Sequence, residues 1–387
     1  MSGGVDSSVA AFLLKRKGYD IVGVFMRCFN IDGCAEKDAE DARRVAEKLN
    51  IPFYIFDLEE EYKKKVVGYM INGYRKGITP NPDVMCNKEI KFGLFLEKAL
   101  VMGADYVATG HYVKLISRYI SNVTGRRLAP AASRDFDSRS DGVDFVDDQS
   151  RRNSETFRTK HTEKFVNNYS LFISKDKNKD QSYFLWTLTQ KQLKHCLFPI
   201  GDYIKPEVRK IAQKAGLSTA KKKDSQGICF LGKVPLVGFL QEYIKPKKGA
   251  VLDVGGKKIG EHKGIYFYTI GQRHGLGISG KKAYYVTEKD AKKNILRVAE
   301  TEDKSLYQKE IKIKEVNFIN YQLQITNHQL HVFARVRYRQ PLIKAELTRG
   351  RLGCKLVFSK PIKFVAPGQS AVFYNKTGEM LGGGIIE

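Results

Sequence analysis

Apolar residues in the first third of the chain follow two alternating patterns. Short apolar runs predict three strands, at Ile21–Met26, Pro52–Leu58 and Asp105–Thr109. Apolar residues at helical spacing predict the helices between them, at Asp38–Leu49, Glu60–Lys76 and Asn87–Met102. Strands that alternate with helices predict the α/β class with a doubly wound parallel sheet, in which ligands bind beyond the carboxyl ends of the strands.

The rest of the chain changes character twice. The segment at about 114–177 is rich in Ser, Asn, Arg and Asp, which predicts a flexible insertion in an N-terminal domain that spans 1–230. Residues 231–280 are rich in Gly and Lys and predict a small central linking domain. Short alternating strands then predict a C-terminal antiparallel β-barrel over 281–387. The predicted barrel strands are Ala283–Thr287, Asn294–Ala299, Ile311–Phe318, Val332–Tyr338, Lys355–Phe358 and Ala371–Tyr374.

Positive charge is the main feature of the composition. The chain of 387 residues carries 67 Lys and Arg against 42 Asp and Glu, a net charge of +25. Such a protein is suited to polyanions such as nucleic acid or an acidic membrane surface, although a basic surface can also serve solubility alone. We favour nucleic acid. No apolar run approaches the ~20 residues that span a bilayer and no leader is visible, so we expect a cytoplasmic protein without a membrane partner.

The segment at 2–8, Ser-Gly-Gly-Val-Asp-Ser-Ser, is the most informative short motif. Gly3 and Gly4 can adopt positive φ and bring backbone N–H groups close to a ligand, and Ser7 and Ser8 are suited to cap the helix that follows. A glycine turn that leads into a helix forms an anion nest suited to phosphate or pyrophosphate. The lysine of a G-x-x-x-x-G-K-[ST] loop is absent. The alternative is a glycine-rich turn without chemistry.

Cysteine spacing shows no C-x-x-C pair and no regular zinc pattern. Cys86 precedes a helix predicted to start near Lys88, where the helix dipole and the lysine would favour its thiolate, and Asp83 is placed to act as a general base. The alternative is a capping loop whose cysteine packs inward. Cys229 is either functional or a core residue at the start of a strand. The cysteines predicted to be structural are Cys28, Cys34, Cys196 and Cys354.

Two further patterns suggest ligand contacts. Residues 109–112, Thr-Gly-His-Tyr, end the third strand, where Gly110 would let backbone approach a nucleotide and His111 is suited to bind or stack on a base. A surface histidine without a role is the alternative. Every second residue of 335–339 is arginine, which predicts three guanidinium groups on one strand face suited to phosphates, or else a solvated face. These residues are Arg335, Arg337 and Arg339.

Together these motifs resemble the bacterial-type tRNA-specific 2-thiouridylases, the MnmA/TrmU family. The matching segments occur in family order along nearly the whole chain, apart from the insertion. They are SGGVDSS at 2–8, NPDVMCNKEIKF at 81–92, ATGHY at 108–112, KDQSYFLW at 179–186, GICFLG at 227–232, YTIGQRHGLG at 268–277, VRYRQ at 336–340 and PGQ at 367–369. The resemblance implies an ATP-pyrophosphatase fold, a small central domain and a C-terminal β-barrel.

The resemblance also implies a reaction. ATP would adenylate the oxygen on carbon 2 of the wobble uridine in tRNA and release pyrophosphate, with Mg²⁺ stabilising the departing charge. A cysteine persulfide would then deliver sulfur as AMP leaves. Cys229 would carry the persulfide, received from a sulfur-relay protein or a cysteine desulfurase, and Cys86 would free the sulfur through a transient disulfide with Cys229.

Three further sets of residues take roles from the resemblance, and none of them is a metal ligand. The target base would be met by Asn81, Pro82 and Asp83. ATP would be held by Ser2, Gly3, Gly4, Val5, Asp6, Ser7, Met26 and Gly110. The tRNA would be contacted by His111, Lys179, Asp180, Gln181, Arg337, Tyr338 and Gln369.

Two departures from the family pattern and three alternatives accompany this interpretation. The chain begins at Met1-Ser2, without the strand that precedes the glycine loop in the family, so we expect weaker ATP binding than in an N-terminally extended form. The insertion before Lys179 is the second departure. One alternative is an amidating ATP pyrophosphatase, which needs no paired cysteines; another is an RNA-binding protein without chemistry. An iron–sulfur cluster on Cys86 and Cys229 is less favoured than a persulfide because the cysteine spacing is sparse.

Overall fold

The protein is described by a computed structural model over residues 1–29, 33–121, 165–224, 235–278, 283–320, 329–350 and 353–387. Its N-terminal region contains two parallel strand pairs. β1 (Gly23–Arg27) pairs with β2 (Phe53–Asp57), and β3 (Val107–Ala108) pairs with β6 (Cys196–Leu197). Parallel partners need a crossover connection, which the intervening helices supply. The α/β class predicted from the sequence is confirmed.

Helices connect these strands, and the helix that contains Cys86 begins well before its predicted start. The helix predicted from Asn87 begins at Pro82, because Asn81 Oδ1 accepts a hydrogen bond from the Val84 N–H at 3.3 Å and proline suits the first helical turn. The helical segments of this region are α1 (Val5–Arg16), α2 (Cys34–Lys48), α3 (Glu59–Tyr62), a π-helical turn (Lys63–Val67), α4 (Gly68–Arg75), α5 (Pro82–Met85), a π-helical segment (Cys86–Leu94), α6 (Phe95–Val101), α7 (Gln190–Leu193) and α8 (Lys205–Lys214).

The segment predicted as a flexible insertion, at about 114–177, begins and ends in regular structure. β4 (Val113–Ser121) pairs antiparallel with β5 (Phe165–Ile173) along its whole length. Tyr169 and Leu171 of β5 are buried in an apolar cluster, and this burial stabilises the hairpin. The prediction is therefore corrected at both ends of the segment; the residues between the two strands lie outside the described ranges.

The central domain holds a four-stranded sheet in the order β8–β7–β10–β9. Two of these strands were predicted to belong to the barrel. β10 pairs with β7 and with β9, so strand pairing joins the sequence as far as Glu300 to the central domain rather than to the barrel. The elements are α9 (Leu236–Tyr243), β7 (Gly249–Leu252), β8 (Lys258–His262), β9 (Tyr284–Asp290) and β10 (Ile295–Glu300).

The C-terminal region is a closed six-stranded barrel, as the sequence predicts. Closure pairs every strand edge, in the order β11–β14–β13–β12–β15–β16. Gly382 of β16 lies so close to β11 that a Cβ there would be 2.1 Å from the carbonyl oxygen of Asn317. The strands are β11 (Tyr307–Phe318), β12 (Gln329–Arg335), β13 (Ile343–Gly350), β14 (Gly353–Lys363), β15 (Ser370–Tyr374) and β16 (Met380–Ile386). Within the described ranges, no helix has the length and apolarity to cross a membrane.

Candidate nucleotide and tRNA site

The glycine loop at 2–8, the predicted nucleotide loop, leads into α1 in the geometry of an anion site. Gly3 has a φ of 67°, and Gly4 is the N-cap residue without a side-chain cap, which leaves the first-turn N–H groups available to an anion. The prediction that Ser7 and Ser8 cap the helix is corrected. Their hydroxyls donate to the Gly4 carbonyl at 3.1 and 2.9 Å, because residues within the first turn lie beside that oxygen. The nest fits a phosphate group.

Two glycines allow other segments to pack directly against this loop. A Cβ at Gly3 would lie 2.2 Å from the Asp38 carbonyl oxygen of α2. A Cβ at Gly110 would lie 2.7 Å from the carbonyl carbon of Asp6 and from the nitrogen of Ser7. Gly110 follows β3, so the carboxyl end of a sheet strand lies against the loop, where a doubly wound fold binds its ligand.

Asp6 of the loop lies in a network of charged side chains. Its carboxylate accepts hydrogen bonds from Lys205 Nζ at 2.8 and 2.9 Å and from the Tyr112 hydroxyl at 2.8 Å. Lys205 also lies 2.8 Å from Asp224, and its side chain is only 11% exposed. Burial, together with the charge of Asp6, raises the pKa of Tyr112, so its hydroxyl remains a donor to the carboxylate. Tyr112 and Lys205 thus fix Asp6.

Asp224, the last residue of the described segment 165–224, forms ion pairs with three cationic side chains. Its carboxylate contacts Lys179 at 2.6 Å, Lys205 at 2.8 Å and Arg209 at 2.8 Å. Burial alone would raise the pKa of Asp224, but hydrogen bonds from Lys179 and Lys205 outweigh it and lower the pKa to about 2. Nearby, Lys222 pairs with Asp38 and Asp41 of α2. The chain that leads towards Cys229 is therefore fixed beside the nucleotide loop.

Sequence reasoning missed Lys205, Asp224 and Tyr112 as members of the site. Lys205 and Asp6 are 199 positions apart, and a contact of that separation leaves no local pattern. The available signal was Pro206, which marks the start of α8 and so places Lys205 at a helix N-terminus.

Asn81, Pro82 and Asp83 form the start of a helix beside the barrel. Asn81 and Pro82 are buried, whereas Asp83 is half-buried in the first turn of α5. Gln369 Nε2 donates to the carbonyl oxygens of Thr79 at 3.0 Å and Pro80 at 3.1 Å, just before this turn. The Thr79 N–H in turn donates to the Pro367 carbonyl at 2.8 Å. A barrel loop therefore holds the segment predicted to meet the target base.

Cys86 is placed differently from its prediction. The helix starts at Pro82, so Cys86 lies past the first turn, beyond the reach of the dipole effect expected for it. Its side chain is fully buried in an apolar cluster that includes Leu58 and Tyr62, and Met26 packs against the same cluster. The adjacent Asn87 is buried, and its Oδ1 has no hydrogen-bond partner within the described ranges. Such an unsatisfied oxygen is suited to accept a hydrogen bond from a bound ligand.

The 179–186 segment joins the nucleotide loop to the barrel. The Gln181 N–H donates to the Tyr112 carbonyl at 2.8 Å, and the Tyr112 N–H donates to Gln181 Oε1 at 3.0 Å. Asp180 is 3% exposed and forms a buried ion pair with Arg335. Its carboxylate ties the segment to β12, and contact of Asp180 with tRNA stays a prediction. Lys179 and Gln181 remain partly exposed.

His111 is also an interior residue in this structure. It is 6% exposed, its Nδ1 lies 2.7 Å from the Thr109 hydroxyl, and its ring packs against Phe92 and Phe198. Burial, with a smaller effect of Lys91, lowers its pKa well below the ordinary value, so the ring is neutral near pH 7. The ring packs in the interior, and its contact with tRNA stays a prediction.

The predicted row of three guanidinium groups on a strand face does not form. β12 ends at Arg335, which is buried, and Arg339 has a φ of 64°, so strand alternation stops between them. Arg337 donates to the carbonyl oxygens of Phe364, at 2.9 Å, and Ile270, and burial lowers its pKa. Tyr338 remains half-exposed, and Arg339 lies 5.2 Å from the centre of its ring.

Cys229 and the rest of 225–234 lie outside the described residues. Within the described ranges, no group of three or more His, Cys, Asp or Glu side chains is arranged to hold a metal ion.

The fold and the site define a nucleotide-binding α/β protein with two appended β-domains. Three family models match it: the tRNA methyl transferase HUP domain at 1–141 and 143–233, the tRNA methyl transferase PRC-barrel domain at 237–300, and the Aminomethyltransferase beta-barrel domain at 308–386. These matches confirm the predicted fold class.

Relatives match over the whole chain. A tRNA-specific 2-thiouridylase MnmA of Streptococcus thermophilus (strain CNRZ 1066) is 40% identical over 398 residues, which cover 100% of this chain and 94% of the relative. The tRNA-specific 2-thiouridylase MnmA 2 of Geobacillus kaustophilus is 41% identical, with 100% and 93% covered. The Christiangramia forsetii MnmA is 37% identical, with 100% and 98% covered. The chain therefore belongs to the family of tRNA-specific 2-thiouridylases.

Proposed function

We propose that this protein is an ATP-dependent tRNA 2-thiouridylase that places sulfur on carbon 2 of the wobble uridine. The observation that carries the proposal is the position of Tyr112. Its hydroxyl binds Asp6 of the nucleotide loop, and its backbone forms two hydrogen bonds with Gln181 of the predicted tRNA-contact segment. One residue thus links the residues suited to phosphate and those proposed for tRNA, as adenylation of an RNA base requires.

In the first step, the oxygen on carbon 2 of the uridine attacks the α-phosphorus of ATP and pyrophosphate leaves. The first-turn N–H groups behind Gly3 and Gly4 are suited to stabilise the charge on the departing pyrophosphate. Mg²⁺ would add charge neutralisation. We propose that it would be bound mainly through the phosphates of ATP, as is usual for this ion.

In the second step, the terminal sulfur of a persulfide on Cys229 attacks carbon 2, and AMP leaves with the original oxygen. The Cys86 thiolate then attacks the Cys229 sulfur and breaks the sulfur–sulfur bond, so the transferred sulfur stays on the base. A Cys86–Cys229 disulfide results, and an external thiol reduces it before the next cycle. Because Cys86 is fully buried, this step requires that tRNA binding expose its thiol.

The proposal includes partners that follow from this chemistry. A sulfur-relay protein or a cysteine desulfurase supplies the persulfide, since the reaction consumes one sulfur atom in each cycle. Of the residues proposed to contact tRNA, Lys179, Gln181 and Tyr338 are partly exposed. Gln369 donates hydrogen bonds to the backbone carbonyl oxygens of Thr79 and Pro80. A tRNA substrate also fits the expected cytoplasmic location.

Mass spectrometry of tRNA nucleosides tests this function. Cells that lack the protein should lose 2-thiouridine and regain it when the gene is returned. Purified protein with ATP and tRNA should release pyrophosphate, whereas an amidating enzyme would need neither tRNA nor cysteines. Unchanged 2-thiouridine in the deficient cells would rule out the proposal.

A further inference from the structure

The central domain carries a cluster of lysines outside the nucleotide and base-contact residues. Three short segments contribute, at 245–248, 262–264 and 290–294. Together these segments contain six lysines, whose side chains are all exposed, and a single carboxylate, Asp290. The lysine cluster consists of Lys245, Lys247, Lys248, Lys263, Lys292 and Lys293.

Asn294 brings the three segments together at one edge of the four-stranded sheet, the edge formed by the strand ends at the start of β7, the end of β8 and the β9–β10 turn. Its Nδ2 donates to the Lys248 carbonyl at 2.7 Å, and its own carbonyl oxygen lies 3.1 Å from His262 Nε2. Pairing of Gly249 with His262 sets the same edge. A Cβ at Gly249 would lie 2.2 Å from the Asn294 carbonyl oxygen, so the segments are in direct contact.

None of the six lysines forms an ion pair within the described ranges, although Lys248 adds to the effect of Lys258 in lowering the pKa of Glu261. Ion pairs of this domain there join Lys258 to Glu261 and Arg297 to Glu288, and they include none of the six lysines. Six neighbouring positive charges repel one another, and a bound polyanion relieves that repulsion. The exposed flexible ammonium groups suit phosphate oxygens rather than base edges.

The lysine cluster lies near the segment proposed to meet the target base. The turn between β9 and β10 packs against the end of α4, where a Cβ at Gly77 would lie 3.1 Å from the Ala291 side chain. Asn81 follows Gly77 by four residues, a separation of at most about 14 Å. Lys76, beside Gly77, is also exposed. A tRNA with its wobble base near Asn81 would pass its backbone within reach of this edge.

We propose that the lysine cluster binds the phosphate backbone of the substrate tRNA, as a contact separate from the base site. The inference rests on the proposed function for the identity of the RNA. Phosphate contacts of this kind add affinity and orient the RNA without reading sequence. They contribute to binding in proportion to the counterions that they release.

The test compares two variants that each remove four exposed lysines. The cluster variant is K247A/K248A/K292A/K293A, and the matched control on the barrel is K309A/K312A/K344A/K360A. Binding of unmodified tRNA is measured across a salt series, and thiolation is measured at saturating tRNA. The cluster variant should bind tRNA at least ~10-fold more weakly, and the slope of log K against log salt should decrease by about one for each phosphate that the variant no longer neutralises.

Four outcomes are informative. Equal affinity and salt slope in both variants would overturn the inference, as would an equal decrease in both, because net charge alone would then explain binding. Selective loss of affinity for vesicles with acidic lipid, with tRNA binding intact, would assign the lysine cluster to membranes and overturn it too. Selective loss of tRNA binding supports it, even if wild-type protein makes no 2-thiouridine, in which case only the proposed function fails.

Discussion

Gln369 of the barrel donates a 3.1 Å hydrogen bond to the carbonyl oxygen of Pro80, which precedes the helix turn that holds Asp83. The same amide also binds the Thr79 carbonyl at 3.0 Å. The C-terminal domain therefore supports the proposed base site through backbone contacts. A barrel residue thereby supports the backbone of the segment proposed to meet the target base.

The Gln369→Ala variant should lose tRNA affinity while ATP binding remains normal. Two hydrogen bonds of about 1 kcal/mol each support the Thr79–Pro80 backbone, so we expect the KM for tRNA to rise ~10-fold or more. Steady-state pyrophosphate release checks this. Gln213→Ala, at an exposed position of α8, is the control and should behave as wild type. A lower kcat with unchanged KM would contradict a role in positioning the tRNA.

The Gly110→Ala variant should lose ATP binding. Its Cβ would meet the Asp6 and Ser7 backbone at 2.7 Å, and backbone atoms cannot yield as a flexible side chain does. Gly238→Ala is the control, since no atom of the described residues beyond its own helix backbone lies within 4 Å of a Cβ there and alanine favours the helix. Calorimetric titration with ATP measures both. Normal ATP affinity in the Gly110 variant would show that the contact can relax.

The Lys205→Met variant should weaken ATP binding and destabilise the fold. Removing the ammonium leaves Asp6 and Asp224 facing each other without a bridging cation. We expect a loss of ~2 kcal/mol, below the value for a fully buried pair because Asp6 and Asp224 are partly exposed. Lys175→Met is the control, because its pair with Glu207 is exposed and contributes ~0–1 kcal/mol. Urea unfolding and ATP titration distinguish the two variants.

The buried ring of His111 should make stability depend on pH. Its pKa is lowered in the folded state, so below the ordinary value of about 6.5 the unfolded chain binds a proton that the folded chain excludes. The contribution of the neutral His111 ring to the free energy of unfolding is therefore fully present above pH 6.5. It is lost as the pH falls toward the folded pKa. The His111→Asn variant should reduce this slope by up to ~1.4 kcal/mol per pH unit, with His262 accounting for part of the remainder. Equal slopes in urea unfolding from pH 5 to 8 would contradict this assignment.

Local patterns predicted the parts of the site that depend on neighbouring residues. The glycines of the 2–8 loop need only the following helix to form a nest, and Gly110 needs only the end of its strand. Lys205 was missed because its partners Asp6 and Asp224 are distant in sequence. The position of Cys86 in its helix was wrong because Asn81 and Pro82 start that helix earlier than its apolar pattern indicates.

Distant pairing also limited the prediction of the domains. The barrel was predicted from alternating strands, but alternation cannot tell which sheet a strand joins. β9 and β10 therefore fell on the wrong side of the predicted boundary at 280. The arginine row failed for a different reason, since the backbone leaves the strand after Arg335 and alternation no longer sets the direction of Arg337 and Arg339.

Single-turnover sulfur transfer tests the central claim, that Cys86 and Cys229 act together on the activated base. Protein loaded with ³⁵S persulfide is mixed with ATP and unmodified tRNA, and the tRNA is digested for nucleoside analysis. Wild type should transfer label to 2-thiouridine, whereas Cys86→Ser should hold the label in a covalent Cys229–tRNA adduct and Cys229→Ser should not load it. Both variants should still release pyrophosphate. Labelled 2-thiouridine at the wild-type rate from either variant would contradict the account.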